Sequence, residues 1–339
     1  MIQDSSGPSP PSPQAGPRRL RGREVTRLDP PESPHFHIEK LADGVYGALA
    51  TRTGAATSNA GIVDLGETTL VFDTFLTPKA GADLARAAEA LTGRAASVVV
   101  NSHYHYDHIR GNQHFPHAQI VATNTTYDLV LTKGAAALKD DRENAAKELE
   151  LFETGKVTRD RDFDFIKARL RETVESLEGL VIKPPTLTFG EELGIRGSGR
   201  TARLLTYGGG HSGSDAFLYL PRERIAFMGD LLLVGYHPWL ADGNPEELVR
   251  ILQRVEQLDM ARAVPGHGPV GAVRDLAVNR KYVQELTRLA EEAVRSGRTK
   301  EEAAQVPVPS EFESWNSARF FASNMRFLHA RVAEKEHRA

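Results

Sequence analysis

The chain has 339 residues, 40% of them apolar and 26% charged, with a formal net charge of -3. These totals describe a globular protein of one large domain or two ordinary ones, and they exclude a polybasic nucleic-acid surface and any apolar run of the ~18 residues that a membrane span needs. There is no cysteine, so any metal must be held by nitrogen and oxygen, and disulfides and cysteine nucleophiles are excluded.

Residues 1–34 hold eight of the nineteen prolines, with arginines and few apolar side chains, the composition of a disordered arm. The arm lacks the apolar core of ~7–15 residues found in signal peptides, so a cytoplasmic location is expected. Residues 35–339 are expected to form a single domain. "HFHIEKLADGVYGALA" reads as a strand, and "SNAGIVDLGETTLVFDT" as a hairpin turning at "DLGETT". "PKAGADLARAAEALTG" is a helix opened by proline and closed at Gly93. "ASVVVNS" is a short buried strand. From about 124 to 180, "AAALKDDRENAAKELELFETGK" and "DFDFIKARLRETVESLEGL" are charged and amphipathic, which predicts a helical insertion. Strand patterns resume in "ARLLTYGGGHSGSDAFLYLPRERIAFMGDLLL". "PEELVRILQRVEQL" is a helix with proline in its first turn, "ARAVPGHGPVG" a short broken strand, and about 275–335 mostly helix. Strands mixed with helices in this way predict an α/β layered domain.

The chemistry concentrates in "VVVNSHYHYDHIRGNQHF", directly behind a β-branched run. Along an extended chain His103, His105 and Asp107 share a face. His108 joins them if the backbone turns, which the following "HIRGN" with Gly111 permits. Four such side chains at a strand end predict ligands to one metal or two adjacent ones. Three later glycine-containing loops fit the same idea, each after a strand: "YGGGHSGSD" with His211, "AFMGDLLL" with Asp230 and "VPGHGPV" with His267. Tyr104 and Tyr106 are expected to pack on the opposite side of the ligand loop, and His114 and His117 to be structural. Tyr236, His237 and Trp239, in "LLLVGYHPWLADGNP", are expected to border a substrate pocket. A rival reading takes "GHSGS" as a nucleophile elbow with Ser212 attacking, and Asp230 and His267 following as acid and base. It departs from the G-x-S-x-G pattern at Ser214 and leaves the "HYHYDH" cluster without a role.

"HYHYDH" is an H-x-H-x-D-H motif, and His211, Asp230 and His267 follow it in the order found in the metallo-β-lactamase superfamily, which residues 37–270 resemble. The resemblance implies a four-layer αββα sandwich, here with a helical insertion and a helical C-terminus. It also implies that His103, His105 and His211 hold one metal, that Asp107, His108 and His267 hold a second, and that Asp230 bridges them. Asp73, ending "LVFD", resembles the family's buried aspartate that orients the ligands. The lack of cysteine departs from the thiolate-using β-lactamases. Five imidazoles and two carboxylates suit two Zn2+, although iron and manganese accept the same donors. The function expected is that of a dinuclear metallo-hydrolase, with a metal-bound hydroxide attacking an ester, thioester, lactone or lactam carbonyl of a small molecule, and Asp107 passing a proton to the leaving group. The alternatives are a mononuclear iron dioxygenase of sulfur compounds, a non-catalytic metal-binding module and the Ser212 hydrolase. No nucleic-acid or membrane partner is expected. A homo-oligomer would form through the helical insertion or the C-terminal helices.

Overall fold

Asp43 and Gly44 fold the first apolar stretch back on itself. Gly44 takes a positive φ of 69°, and what the sequence suggests is one strand is instead an antiparallel pair, β1 (Phe36–Ala42) and β2 (Val45–Ala50). An Asp-Gly pair between apolar runs is a strong hairpin signal, and it decides the outcome here. The structure is a computed structural model describing residues 30–338. Most of the arm expected over 1–34 lies outside the described residues. Within them, the Ser33 hydroxyl donates to Asp83 at 2.7 Å and the Pro34 carbonyl accepts from Thr51 at 2.6 Å.

The expected hairpin follows as β3 (Ala60–Asp64) and β4 (Thr69–Phe72). Helix α1 (Pro78–Thr92) starts at Thr77, whose side chain accepts from the Ala80 amide, and ends at Gly93 in the left-handed region. Strand β5 (Val98–Val100) leads through the single helical turn α2 (Tyr106–Ile109) to β6 (Gln119–Thr123). Next come α3 (Asn124–Leu129), α4 (Ala135–Glu153) and α5 (Phe163–Ser176), where the charged pattern predicts helix, and then β7 (Leu187–Phe189). These strands form a seven-stranded sheet in chain order, antiparallel from β1 to β4 and parallel from β4 to β7.

The chain then changes sheet between Phe189 and Glu192. Strands β8 (Glu192–Arg196), β9 (Thr201–Thr206), β10 (Ala216–Leu220), β11 (Ile225–Phe227) and β12 (Arg262–Val264) form a second, five-stranded sheet. It is antiparallel except that β11 and β12 run parallel. Helix α6 (Pro245–Val255) joins those two strands, and α7 (Val273–Arg295), α8 (Lys300–Ala303) and α9 (Arg319–Arg338) complete the C-terminus.

Alternation along the strands sets the layers. Leu70, Phe72 and Val100 of the first sheet meet Leu204, Leu218 and Phe227 of the second in one buried cluster. Their neighbours Val71 and Val99 point the other way, onto Leu84, Ala87 and Ala88 of α1. On the far side, Phe217, Tyr219 and Ala226 pack against Leu252 of α6, Leu286 of α7 and Met325 of α9. The result is helix, sheet, sheet, helix, as expected. Each large apolar side chain buried between the layers contributes about 1.5–3 kcal/mol. Gly61 lets the sheets approach, since a Cβ there would lie 2.4 Å from the Phe227 ring. Because β4 and β5 run parallel, and β9, β11 and β12 share one direction, the loops leaving all five strands gather at one edge of the sandwich.

Candidate metal centre

All seven sequence-nominated ligands converge at that edge. His103, His105, His211 and Asp230 bring ligand atoms within 4.8 Å of one another, and Asp107, His108 and His267 form an adjoining group with the same spacing. His108 joins because the strand gives way to the α2 turn, so that period-two alternation ends at His105. Asp230 faces both groups. Its Oδ2 is 3.4 Å from His211 Nε2, and its Oδ1 lies 3.3 Å from His108 Nε2 and 3.4 Å from His267 Nε2. Asp107 Oδ2 is 3.4 Å from His267 Nε2.

Four of the five histidines have their outward ring nitrogen tied to a fixed acceptor, while His211 Nδ1 is buried without a partner. His108 Nδ1 donates to Asp73 Oδ2 at 2.8 Å, His267 Nδ1 to the Thr57 carbonyl at 3.0 Å, and His105 Nε2 to Asp242 Oδ2 at 3.1 Å. His103 Nδ1 donates to the Ser102 hydroxyl at 2.9 Å, which itself donates to Asp73 at 2.7 Å. Asp73 thus supports two of the nominated histidines at once, one directly and one through Ser102. It sits at a positive φ of 56° and is fully buried. With those nitrogens committed, the inner nitrogens present lone pairs, as metal ligation requires.

Of the inner atoms, His105 Nδ1 and His211 Nε2 meet each other at 3.0 Å. His103 Nε2, His108 Nε2 and Asp230 Oδ1 are buried without a hydrogen bond, a state that costs roughly 1–3 kcal/mol per group when nothing compensates it. Burial, then the neighbouring His108, His105 and His211, depresses the His103 pKa well below the imidazole range and keeps the ring neutral. Burial works against charge on Asp230 too, but His267, His108 and His211 outweigh it and hold the carboxyl well below its usual range. Imidazole nitrogens around ionised carboxylates, with orphaned inner atoms, fit a divalent cation set.

The loops are built for this convergence. The Asp215 carboxylate accepts the amides of Gly210, His211 and Ser212 at 2.7, 2.9 and 3.0 Å, which fixes the turn that carries His211. Asn59 donates to the carbonyls of Pro265 and Gly268 at 2.9 and 2.8 Å, tying the start of β3 to the His267 loop. Gly266 must be glycine, because a Cβ there would meet Asp230 Oδ1 at 1.8 Å. Ser212 is buried and donates to Asp215 and the Ser214 carbonyl; no histidine is among its partners in the described residues, so the nucleophile-elbow reading lacks its base.

A cavity of about 380 Å3 opens onto the centre and is lined by His105, Asp107, His211, Asp230 and His267. Tyr236 and Trp239 line it as expected, Tyr236 tilted against His267 with ring centroids 5.9 Å apart. His237 also borders it, but its ring is buried against Tyr282, Trp315 and Phe321, with Nδ1 bonded to the Tyr282 hydroxyl at 2.8 Å. Tyr104 packs with Ile109 and Val130, as expected. Tyr106 does not join it: its ring lines the cavity and its hydroxyl accepts from Arg169 at 2.8 Å, because the α2 turn starts there and swings it inward. His114 and His117 lie away from the cluster. Residues that sequence reasoning missed are Thr57, Asn59, Arg169, Asp242 and Arg319; of these Asp242, three residues beyond Trp239 and bonded to its indole at 3.2 Å, sat inside the loop already singled out.

A histidine and aspartate cluster suited to metal, set on the strand ends of an αββα sandwich, defines the class. The model of the metallo-β-lactamase superfamily matches residues 53–267, and the chain belongs to that superfamily. Among solved structures it resembles a metallo-β-lactamase from Pontibacter korlensis, at 19% identity and a TM-score of 0.55 over 74% of this chain and 99% of that one. DIM-1 metallo-β-lactamase gives 18% and 0.52 over 75% and 99%, and TMB-1 gives 15% and 0.54 over 75% and 99%. At such identities the likeness speaks for the fold alone. A search of curated proteins finds no match.

Proposed function

We propose that the protein is a dinuclear metallo-hydrolase, most simply a two-zinc enzyme, that cleaves an ester, thioester, lactone or lactam of a small molecule. The observation that carries this reading is Asp230, whose two oxygens face different histidine groups at 3.3–3.4 Å. His103, His105 and His211 would hold one ion, Asp107, His108 and His267 the other, with Asp230 shared. Divalent ions at these positions would supply a water acidified to a pKa of about 7 and several kcal/mol of stabilisation for charge developing on a carbonyl oxygen. Asp107 stays ionised: burial opposes its charge, but His108 and His267 outweigh that and lower its pKa. Its carboxylate lines the cavity and is the group placed to take up a proton and return it to the leaving atom. Tyr236 and Trp239 give the substrate an apolar wall and exclude water from the reacting face.

The test is elemental analysis of the native protein combined with a panel of ester, thioester, lactone, β-lactam and phosphoester substrates. Two ions per chain are expected, with turnover of one carbonyl class that disappears on stripping the metal and returns on reloading. His105→Ala should abolish that turnover. One iron per chain with oxygen uptake on a thiol would instead favour the sulfur dioxygenase reading, and turnover undiminished in His105→Ala would defeat the metallo-hydrolase.

A further inference from the structure

Two guanidinium groups in the cavity wall have no carboxylate within ion-pair distance among the described residues. Arg169 comes from α5, in the helical insertion, and Arg319 opens α9. Arg169 spends one nitrogen on the Tyr106 hydroxyl, at 2.8 Å, while its Nε is buried without any partner. Partial desolvation, then the like charge of Arg169, lowers the pKa of Arg319, although much of its side chain stays exposed at the start of α9. Tyr106, with Asp107 and Asp141 at longer range, favours the Arg169 charge, but none of these carboxylates pairs with it, and its unpartnered Nε leaves donor capacity for an anion in the cavity.

The acidic groups nearby are already engaged. Asp162 accepts from Arg52 at 3.4 Å and from the Ala318 amide at 3.0 Å. Asp242 is taken by His105, Trp239 and Lys133. Asp107 and Asp230 belong to the metal centre. Around the arginines the wall is aromatic: Phe165 sits one helical turn before Arg169, and Phe320 lies 5.3 Å from Trp239 between ring centroids. The cavity therefore has three zones, a centre for the scissile bond, an aromatic wall and a pair of cations with no direct ion-pair partner among the described residues.

We propose that the substrate carries a fixed anionic group, a carboxylate or a phosphate, on an apolar or aromatic body, and that Arg169 and Arg319 are the residues that select it. The placement of the scissile bond rests on the hydrolase reading above; the anion preference does not. Arginine suits this task because its planar fork can bond two oxygens of either anion at once. The pair lies outside the ligand loops, on segments peculiar to the insertion and the C-terminus, so it tunes the choice of substrate without touching the metal ligands.

The test titrates the full-length, metal-loaded protein with phenylacetate, phenyl phosphate and the neutral phenylacetamide, read by tryptophan fluorescence and by calorimetry. At least one anion should bind about tenfold or more tighter than the amide, the expected worth of a hydrogen bond to a charged group. The better of the two anions identifies the substrate's group. Arg169→Met/Arg319→Met should bring the anion down to the amide's affinity and leave the amide within about twofold, because the apolar contacts survive. Equal affinities in the unaltered protein would overturn the proposal. So would an undiminished preference in the double variant, which would assign the anion to the metal ions. A thermal melt checks the fold of the variant; if the pair is not tolerated, Arg319→Met alone at the exposed helix start should still lower the preference, and no change there counts against the proposal. Anion preference without turnover on the ester and lactone panel would keep this inference while removing the hydrolase.

Discussion

Asp242 reaches His105 from 137 positions away and fixes which ring nitrogen carries the proton. The hydrogen bond from His105, against the cost of burial, holds the Asp242 carboxyl well below its ordinary range, with Lys133 adding to the effect. Partners of this kind set the orientation and basicity of a ligand, and losing one costs about 10–100-fold in metal affinity. Asp242→Ala should therefore weaken metal binding by about that factor in a chelator-competition titration, with Asp242→Asn intermediate because it keeps an acceptor oxygen. An unchanged affinity would show that His105 is held by packing alone. The contrast between Asp242 and the "HYHYDH" run explains what sequence reading can reach at this scale. Ligands packed within six positions declare themselves by spacing, whereas an aspartate bonded across the fold looks like any loop aspartate until the chain is folded.

At the scale of elements, the loop after β11 is held down by the C-terminal helices. His237 packs between Tyr282 of α7 and Phe321 of α9, and burial, with the Arg161 charge, lowers its pKa from 6.5 to about 4. The unfolded chain takes up this proton near pH 6.5 and the folded one only near pH 4, so between those values the unfolded state binds more protons. Stability should fall as the pH drops through that window, and His237→Phe should flatten this part of the dependence. Melting temperatures measured from pH 7 to pH 4 check both; an identical slope in the variant would remove His237 as the cause. The helices themselves were legible: proline and glycine mark the two ends of α1, and proline the start of α6. The β1–β2 hairpin was less so, because one apolar stretch hides a two-residue turn. Arg169 was hidden for a different reason. On a charged amphipathic helix, a side chain facing a cavity and one facing water follow the same pattern.

For the whole molecule, the sheets were foreseeable as layers, but their common edge was not, since it depends on which strands run parallel. That edge gathers uncompensated inner atoms, so metal binding and folding should be coupled. Ions held at one hundred times their dissociation constant add about 2.7 kcal/mol to the native state. Stripping the metal should lower the melting temperature by several degrees, and reloading should restore it; equal melting curves would mean that the polar edge is stable by itself.

The change of sheet between Phe189 and Glu192 has one more outcome. Everything before it contributes His103, His105, Asp107 and His108, and everything after it His211, Asp230 and His267. Each of the two groups draws side chains from both portions. Ions bound there would act as a clasp, closing only when both halves are folded and seated.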